Sequence, residues 1–409
     1  MTLRNDADQI IRAAIASALP NAAVARALEH KSFPGRVFLV SVGKAAWQMA
    51  KTAADYLGDQ VTQGIVITKY DHSEGELPRI RVFEAGHPVP DENSFLAAEE
   101  ALKLTSGLRY DDTVLFLLSG GGSALFEKPL IPPAQLQDIT KQLLACGADI
   151  VEMNTVRKRL SGVKGGRFAR HCLPAQVFSI VLSDIIGDPL DMIASGPACA
   201  DASTCEQAMH IVNQYGLSLS EQAMACLQTE TPKMLDNVET LVTGSVRQLC
   251  SSAEETCIRL GYRPVVLTDS LCCHAKDAGS FLASMARYYA STAASLAFIA
   301  GGETVVQLKG NGKGGRNQEL ALAAAPGISG LKSTAVFSVG SDGTDGPTDA
   351  AGGYVDGSTA QALAEAGISI RDELENNNAY FALDQCGGLI KTGATGTNVN
   401  DLSVLLIKR

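Results

Sequence analysis

Short apolar runs recur along the chain, and stretches with helical spacing separate them. The segments 37–42, 113–118 and 177–182 are almost entirely apolar, which is typical of buried strands. Residues 6–19 place apolar side chains three and four positions apart, which predicts an amphipathic helix. The alternation of strands and helices predicts a layered α/β fold.

The chain of 409 residues is too long for one ordinary core, so two domains are expected. We predict domains at residues 1–232 and 233–409, with the first helix as a candidate to pack on the other domain. A long helix is predicted at 275–292. Further strands are predicted in the first domain at 64–68 and 80–84, and in the second at 241–243, 264–267, 298–300, 304–308, 334–339 and 404–407.

The stretch 304–319, TVVQLKGNGKGGRNQE, joins a strand-like run to a glycine-rich turn and a helix. Its glycines permit close approach to a ligand, and a helix N-terminus suits phosphate. Lys313 and Arg316 add positive charge. The same stretch contains GxGxxG, which also fits a dinucleotide fold, although the next strand is not followed by a lone ribose-binding acid. A solvent-facing polar loop is the third interpretation.

Chemistry-bearing residues also follow the predicted strands of the first domain. Lys44 comes after 37–42, and the segment Ser119–Ser123, with three glycines between two serines, comes after 113–118. Open α/β sheets bind ligands at such strand ends, and the glycine segment suits an oxyanion or phosphate. His87 is either an acid–base residue or a structural loop residue. The chain contains neither GxSxG nor a Walker A motif, which argues against a hydrolase elbow and a P-loop.

Basic and acidic clusters suggest an anionic substrate and a metal ion. Residues 153–170 are rich in Lys and Arg, and Arg157 and Lys164 are seven positions apart, so they share a helix face and are predicted to line an anionic site. Asp184 follows the strand 177–182 and is a candidate Mg²⁺ ligand. Asp342 and Asp345, in a loop of alternating Gly and Asp, are candidates for Mg²⁺ or a ribose hydroxyl.

The overall composition narrows the class of protein. A net charge of −10 argues against general nucleic-acid binding. The ten cysteines form no CxxC pair, which favours reduced thiols. The N-terminal segment does not resemble a signal peptide, and no apolar run reaches the ~18 residues of a membrane span. These features predict a cytoplasmic protein, monomeric or homodimeric, that acts on small molecules and not on membranes or nucleic acid.

Glycine loops, isolated cations and acids suited to Mg²⁺ together favour phosphoryl transfer, in which positioning and charge neutralisation carry most of the catalysis. A nicotinamide-dependent dehydrogenase is the second interpretation, and a non-enzymatic nucleotide sensor is the third. On the residues alone, the chain is an anion- or nucleotide-handling α/β enzyme.

The sequence resembles the glycerate 2-kinase family, whose C-terminal half is called the MOFRL domain. The similar motifs span nearly the whole chain in order: VSVGKAA at 40–46, LSGGGSAL at 118–125, MNTVRKRLSGVKGGR at 153–167, SDIIGDPLDMIASGP at 183–197, GGRNQELAL at 314–322, SDGTDGPTDAAG at 341–352 and TGTNVNDL at 395–402.

The resemblance implies two α/β/α domains, a Rossmann-like parallel sheet followed by a mixed sheet, with the active site in the interdomain cleft. It implies transfer of the γ-phosphoryl of ATP to the 2-hydroxyl of D-glycerate with Mg²⁺. Some relatives have been labelled hydroxypyruvate reductases, so an NAD(P)H-dependent reductase is the alternative. The small departures at Ala394 and in the glycine segment do not affect the expectation.

The site residues are assigned on these grounds. Lys44 and Arg316 are expected to be catalytic, and Asp184 and Asp342 to bind the metal. The glycerate ligands are expected to be Ser119, Gly120, Gly121, Gly122, Ser123, Arg157 and Lys164. The nucleotide ligands are expected to be Gly310, Gly312, Lys313, Gly314, Gly315, Asn317 and Asp345.

Overall fold

The computed structural model describes residues 2–409, which form an α/β structure with two sheets. The strands are β1 Val37–Val42, β2 Val61–Lys69, β3 Ile80–Ala85, β4 Thr113–Leu118, β5 Gln176–Leu182, β6 Val238–Gly244, β7 Arg263–Leu271, β8 Leu296–Gly302, β9 Thr334–Gly340, β10 Gly352–Asp356, β11 Leu389–Ile390 and β12 Asp401–Ile407.

The helices alternate with these strands through most of the chain. They are α1 Leu3–Ser17, α2 Pro20–Leu28, α3 Ala46–Leu57, α4 Glu92–Leu104, α5 Gly122–Leu125, α6 Pro133–Ala145, α7 Ile150–Arg159, α8 Arg167–His171, α9 Cys205–Tyr215, α10 Glu221–Leu227, α11 Val246–Arg259, α12 Ala275–Tyr288, α13 Arg316–Ile328, α14 Thr359–Glu365, α15 Ile370–Glu375 and α16 Ala379–Gln385.

The chain divides into two compact units. The parallel-sheet unit comprises Val24–Leu182 and Asp188–Thr243, and the mixed-sheet unit comprises the chain up to Ala23, Ser183–Gly187 and Gly244–Arg409. The fold class expected from the sequence, two α/β domains, is confirmed. The domain boundary after residue 232 stays a prediction.

The parallel-sheet unit has the strand order β3-β2-β1-β4-β5-β6. Strands β1 to β5 pair in parallel. This is the order of the doubly wound fold, in which ligands bind at the carboxyl ends of the strands. Every residue of β1 and of β4 is buried, so their apolar runs form the centre of the sheet. The residues after these two strands therefore lie side by side at one edge.

The mixed sheet has the order β11-β10-β9-β12-β8-β7, in which β7 and β8 are parallel and the other neighbours antiparallel. Alternate residues of β12 face opposite layers. Val404 and Leu406 pack with α1 and α11, whereas Leu405 and Ile407 pack with α12 and α13. The unit therefore has one sheet between two helical layers.

Helix α1 belongs to the mixed-sheet unit although the parallel-sheet unit follows it in sequence. Its Ile10 and Ile11 pack against α11. The Ser252 hydroxyl donates to the carbonyl of Ala13 at 3.0 Å, and the Tyr262 hydroxyl donates to the Asp6 carboxylate at 2.6 Å.

No helix among residues 2–409 is long and apolar enough to cross a membrane.

One predicted strand is wrong. Residues 304–308 are not part of either sheet, and Val305 forms only an isolated bridge with His274. Strand β8 ends at Gly302, whose φ of +151° disfavours other residues and brings its backbone against Leu271. The glycine-rich turn therefore does not follow a sheet strand.

Candidate functional site

Lys44 and the Ser119–Ser123 segment lie together at the carboxyl edge of the parallel sheet. The N–H of Lys44 donates to the carbonyl of Gly120 at 2.9 Å, and the N–H of Ala45 donates to the Ser119 hydroxyl at 3.1 Å. Gly43 makes this approach possible, because a Cβ at that position would lie 2.2 Å from Ser119 Oγ. The structure thus joins two motifs that are far apart in sequence.

The Lys44 side chain is exposed and forms no ion pair or hydrogen bond through its ammonium within residues 2–409. His87 lies beside it. A Cβ placed on Gly121 would be 3.1 Å from His87 Cδ2 and 3.3 Å from Lys44 Cγ. Burial, with the nearby Lys44, Lys69 and His72, lowers the pKa of His87. The glycine segment is therefore lined on this side by one free cation and one imidazole.

On its other side, the glycine segment is fixed by a chain of polar side chains. Ser123 Oγ lies 3.2 Å from Ser195 Oγ, and Ser195 Oγ donates to the Asn154 side-chain oxygen at 2.9 Å. Ala194 and Ser195 have φ values of 50° and 62°, which are costly for residues other than glycine. This strain sets Ser195 against Ser123. Sequence reasoning missed Ser195 and Asn154, although both lie within the quoted motifs.

The two cations predicted to bind substrate have different environments. Lys164 is fully buried, and its Nζ donates to Glu127 Oε2 at 2.6 Å and to the carbonyl of Phe126 at 3.1 Å. Burial lowers the pKa of Lys164, although Glu127 opposes this. Arg157 is half-buried, and its guanidinium forms no hydrogen bond or ion pair within the described residues. Arg157 is therefore the cation available to a ligand.

Helix α5, which begins at Gly122, has only four residues. Its dipole is too small to contribute much to anion binding, because the macrodipole arises from several aligned turns. Gly122 instead permits close packing, since a Cβ there would lie 2.6 Å from the Cβ of Ala194. Any anion at this segment would be held mainly by the surrounding side chains and by backbone N–H groups.

In the mixed-sheet unit, the glycine-rich turn before α13 is bound by three consecutive asparagines that sequence reasoning missed. The Asn377 side-chain oxygen accepts from the N–H groups of Lys309 and Gly310, at 2.7 and 3.0 Å. The carbonyl of Asn376 accepts from the N–H of Gly312 at 2.9 Å. Residues 376–378 therefore occupy most of the N–H groups that were expected to bind phosphate.

The backbone N–H groups of two other glycines in the turn are nevertheless available to a ligand. Within the described residues, no acceptor lies within hydrogen-bond distance of the N–H groups of Gly314, Gly315 and Arg316. These groups border a cavity of about 880 Å³. Val305 and Leu308, which are 49% and 82% exposed, form an apolar part of its wall. The cavity combines unpaired N–H donors with an apolar surface, as a nucleotide requires.

The remaining predicted nucleotide ligands have structural contacts. The Asp345 carboxylate accepts from the N–H groups of Asn317 and Gln318, so it caps α13. Its burial raises the pKa of Asp345 to about 6. The Asn317 side chain is buried between Asp345 and Ser338. The ammonium of Lys313 lies 4.7 Å from the centre of the Tyr380 ring.

Arg316, the first residue of α13, is held by two carboxylates. Its Nε and Nη2 donate to Asp401 at 2.6 and 3.1 Å, and its Nη1 donates to Glu303 at 2.6 Å. Burial alone would lower the pKa of Arg316, but these carboxylates raise it. Three of the five guanidinium N–H groups are engaged, so two remain for a ligand in the cavity.

Of the two predicted metal ligands, only Asp342 lines the same cavity. Ile186, two residues after Asp184, also lines it. The Asn400 amide nitrogen lies 3.3 Å from the carbonyl of Asp184, and its side-chain oxygen is buried without a hydrogen-bond donor. No cluster of three or more His, Cys, Asp or Glu side chains suited to a metal occurs in residues 2–409. The side-chain oxygens of Asp184, Asp342 and Asn400 would suffice for Mg²⁺ only if substrate phosphates supplied further ligands.

If this cavity binds a nucleotide, Asn377→Ala is expected to raise the KM for that nucleotide by roughly tenfold. The variant loses the two hydrogen bonds to Lys309 and Gly310, each contributing roughly 1 kcal/mol, which loosens the turn beside the cavity. Steady-state kinetics with varied nucleotide would measure the change. Asn93→Ala, at an exposed site in the parallel-sheet unit, is the control. An unchanged KM for the nucleotide would contradict the role of the asparagines.

Two family profiles match the chain: a domain of unknown function, DUF4147, at residues 6–228, and the MOFRL family at residues 296–401. The chain is 49% identical to a D-glycerate 2-kinase of Thermotoga maritima, over 99% of both chains. It is 40% identical to a glycerate 2-kinase of Pyrococcus horikoshii, over 91% of this chain and 88% of the relative. A crystal structure of the Thermotoga maritima glycerate kinase superimposes with a TM-score of 0.93, at 48% identity and 99% coverage of each chain.

Proposed function

Since the chain belongs to the glycerate 2-kinase family, we propose that it transfers the γ-phosphoryl group of ATP to the 2-hydroxyl of D-glycerate. The products are 2-phospho-D-glycerate and ADP. The observation that carries this proposal is the exposed Lys44, which lies beside the Ser119–Ser123 segment and whose ammonium has no partner within residues 2–409. Arg157, on α7, is a second cation whose guanidinium has no partner within the same residues. An acidic protein that leaves such cations free favours a small anionic substrate.

We assign the glycerate carboxylate to Arg157. On α7, Arg157 lies three residues after Asn154, so the two side chains share a face. Asn154 connects through Ser195 to Ser123, and this connection supports an Arg157 side chain near the glycine segment. Arg binds a carboxylate through two parallel N–H groups, which fixes its orientation as well as its position.

We assign the ATP to the cavity of the mixed-sheet unit. The N–H groups of Gly314, Gly315 and Arg316 suit its phosphates, because they point from the start of a thirteen-residue helix. The exposed side chains of Val305 and Leu308 suit the adenine base. Of the predicted nucleotide ligands, Gly314 and Gly315 are therefore the ones we propose to contact ATP directly.

Lys44 and Arg316 are proposed to stabilise the charge on the transferring phosphoryl group. The bond between the γ-phosphorus and the bridging oxygen breaks as the substrate oxygen attacks, and charge accumulates on the phosphoryl oxygens. Positioned cations lower the free energy of this transition state. Asp184 and Asp342, with the side-chain oxygen of Asn400, would hold Mg²⁺. When bound, Mg²⁺ neutralises charge on the ATP phosphates.

We expect Arg157→Met to raise the KM for glycerate roughly 10–100-fold, because a hydrogen bond to a charged group contributes roughly 1.5–3 kcal/mol. The free energy of unfolding should be unchanged, since the guanidinium has no partner among residues 2–409. Lys164→Met should show the opposite pattern. Its KM for glycerate should be unchanged, and its free energy of unfolding should fall by roughly 3–5 kcal/mol, because Glu127 is left buried and unpaired.

Initial rates and urea unfolding would distinguish these variants. Arg170→Met, at an exposed position on α8, controls for loss of a basic side chain. A normal KM for glycerate in the Arg157 variant would contradict the substrate-binding role of Arg157. Normal stability in the Lys164 variant would contradict the structural role of Lys164.

A ³¹P NMR spectrum of the protein with ATP, Mg²⁺ and D-glycerate tests the reaction directly. We expect signals of ADP and 2-phosphoglycerate to grow at equal rates. A 3-phosphoglycerate signal would retain the kinase and change the site of transfer. If no new signal appears while NADH is oxidised by hydroxypyruvate, the proposal is wrong and the protein is a reductase.

The reductase alternative is not favoured. Its sequence support was the GxGxxG pattern at Gly310, Gly312 and Gly315, which requires a sheet strand before it and glycines that are free to approach the pyrophosphate. Residues 304–308 are outside both sheets, and Asn376 binds the N–H of Gly312. The pattern therefore lacks the structural context of a dinucleotide site.

A further inference from the structure

We propose that His87 is the general base that accepts the proton of the substrate hydroxyl. This inference rests on the proposed kinase reaction and extends it to a residue for which the sequence left an acid–base and a structural role open. Neither ring nitrogen of His87 forms a hydrogen bond within residues 2–409. His87 is half-buried, so its unpaired nitrogens are available to a ligand.

The position of His87 follows from the sheet. The chain leaves β3 at Ala85, and His87 comes two residues later, at the edge where β1 leads to Lys44 and β4 leads to Gly121. A Cβ on Gly121 would lie 3.3 Å from His87 Nε2 and 3.3 Å from Lys44 Cγ. A substrate against Gly121 would therefore contact the imidazole and the lysine side chain together.

The electrostatic surroundings keep this imidazole neutral. Burial and the positive charges of Lys44, Lys69 and His72 lower the pKa of His87, so the ring holds a free electron pair at neutral pH. His72 is less suited to the task, because it is exposed and its Nδ1 lies 3.1 Å from the carbonyl of Lys44. The other ionisable groups that line the cavity beside His87 are Tyr70, Asp91 and Glu92.

The proposed phosphoryl transfer needs no reactant other than the substrate hydroxyl, ATP, His87 and water. The substrate oxygen forms a bond to the γ-phosphorus, and the bond to the bridging oxygen breaks, so that ADP leaves with the electron pair. The hydroxyl proton passes to Nε2 of His87, which becomes an imidazolium and later releases the proton to water. The positive charge of Lys44 repels that imidazolium, and this repulsion favours rapid release of the proton.

The pH dependence of kcat in wild-type protein, His87→Gln and His171→Gln tests the inference. The wild-type rate should fall as the pH drops through the lowered pKa of His87, below its ordinary value of about 6.5, because the protonated ring cannot accept a proton. His87→Gln should lose roughly 10²-fold in kcat and lose this acidic limb. His171→Gln, an exposed histidine on α8, should retain both.

Imidazole added to His87→Ala should restore part of the rate, which a structural role would not produce. If His87→Gln retains kcat, or loses it while the acidic limb persists, His87 is not the base and the inference is overturned. If wild-type protein forms no phosphoglycerate, the proposed function fails and the inference fails with it. An active wild type with an equally active variant overturns only the inference.

Discussion

Replacing Lys44 with Met is expected to reduce kcat by roughly 10²–10³-fold and to leave the free energy of unfolding within ~0.5 kcal/mol of wild type. The ammonium is exposed and has no partner in residues 2–409, so its removal breaks no contact in the folded protein. In the proposed reaction, its charge acts only when the phosphoryl group is transferred. A coupled assay of ADP formation and urea unfolding would measure the two quantities.

Lys51→Met is the matched control, because Lys51 lies on α3, the helix that follows Lys44, and pairs with Asp55 at the surface. Its kcat should equal that of wild type. Near-normal turnover of the Lys44 variant would remove Lys44 from the mechanism, whereas a large loss of stability would mean that the residue supports the fold.

Arg316→Met should reduce kcat to an extent similar to that of Lys44→Met. Unlike Lys44→Met, it should also destabilise the protein. The guanidinium binds Asp401, which is only 5% exposed, so the variant leaves a buried carboxylate without its partner. We expect a loss of about 2 kcal/mol, less than for a fully buried pair because the Arg316 side chain is a third exposed. Burial already raises the pKa of Asp401, although Arg316 opposes this.

The double variant Arg316→Met/Asp401→Asn separates the two effects. Neutralising position 401 removes the unpaired charge, so most of the stability should return while turnover stays low. Recovery of turnover together with stability would show that Arg316 acts only through the fold. Urea unfolding and the ADP assay, applied to the same preparations, would distinguish these results.

The fold could be predicted well where burial alone decides the structure. The apolar runs at 37–42 and 113–118 are strands with the predicted bounds, because a strand buried on both faces needs an apolar residue at every position. Residues 304–308 were mispredicted since a β-branched run indicates an extended chain but not a pairing partner. The neighbouring positions of β8 are already taken by β7 and β12.

The site could be predicted only in part, because residue type does not reveal which polar groups are already bound. Lys164 and Arg157 looked equivalent in the sequence, yet only Lys164 has a buried acid beside it. Likewise, the glycines at 310 and 312 were read as ligand contacts. Their lack of side chains instead allows the backbone of Asn376 to approach, at a position more than sixty residues away.

The placement of α1 has a consequence for biosynthesis. This helix is synthesised long before its partner α11, which begins only at Val246, after the whole parallel-sheet unit. At roughly 5–20 residues per second, translation separates the two by roughly 10–50 s. During that interval the apolar face containing Ile10 and Ile11 has no native surface to cover it. Nascent chains should therefore be captured by chaperones through α1, and released once α11 emerges.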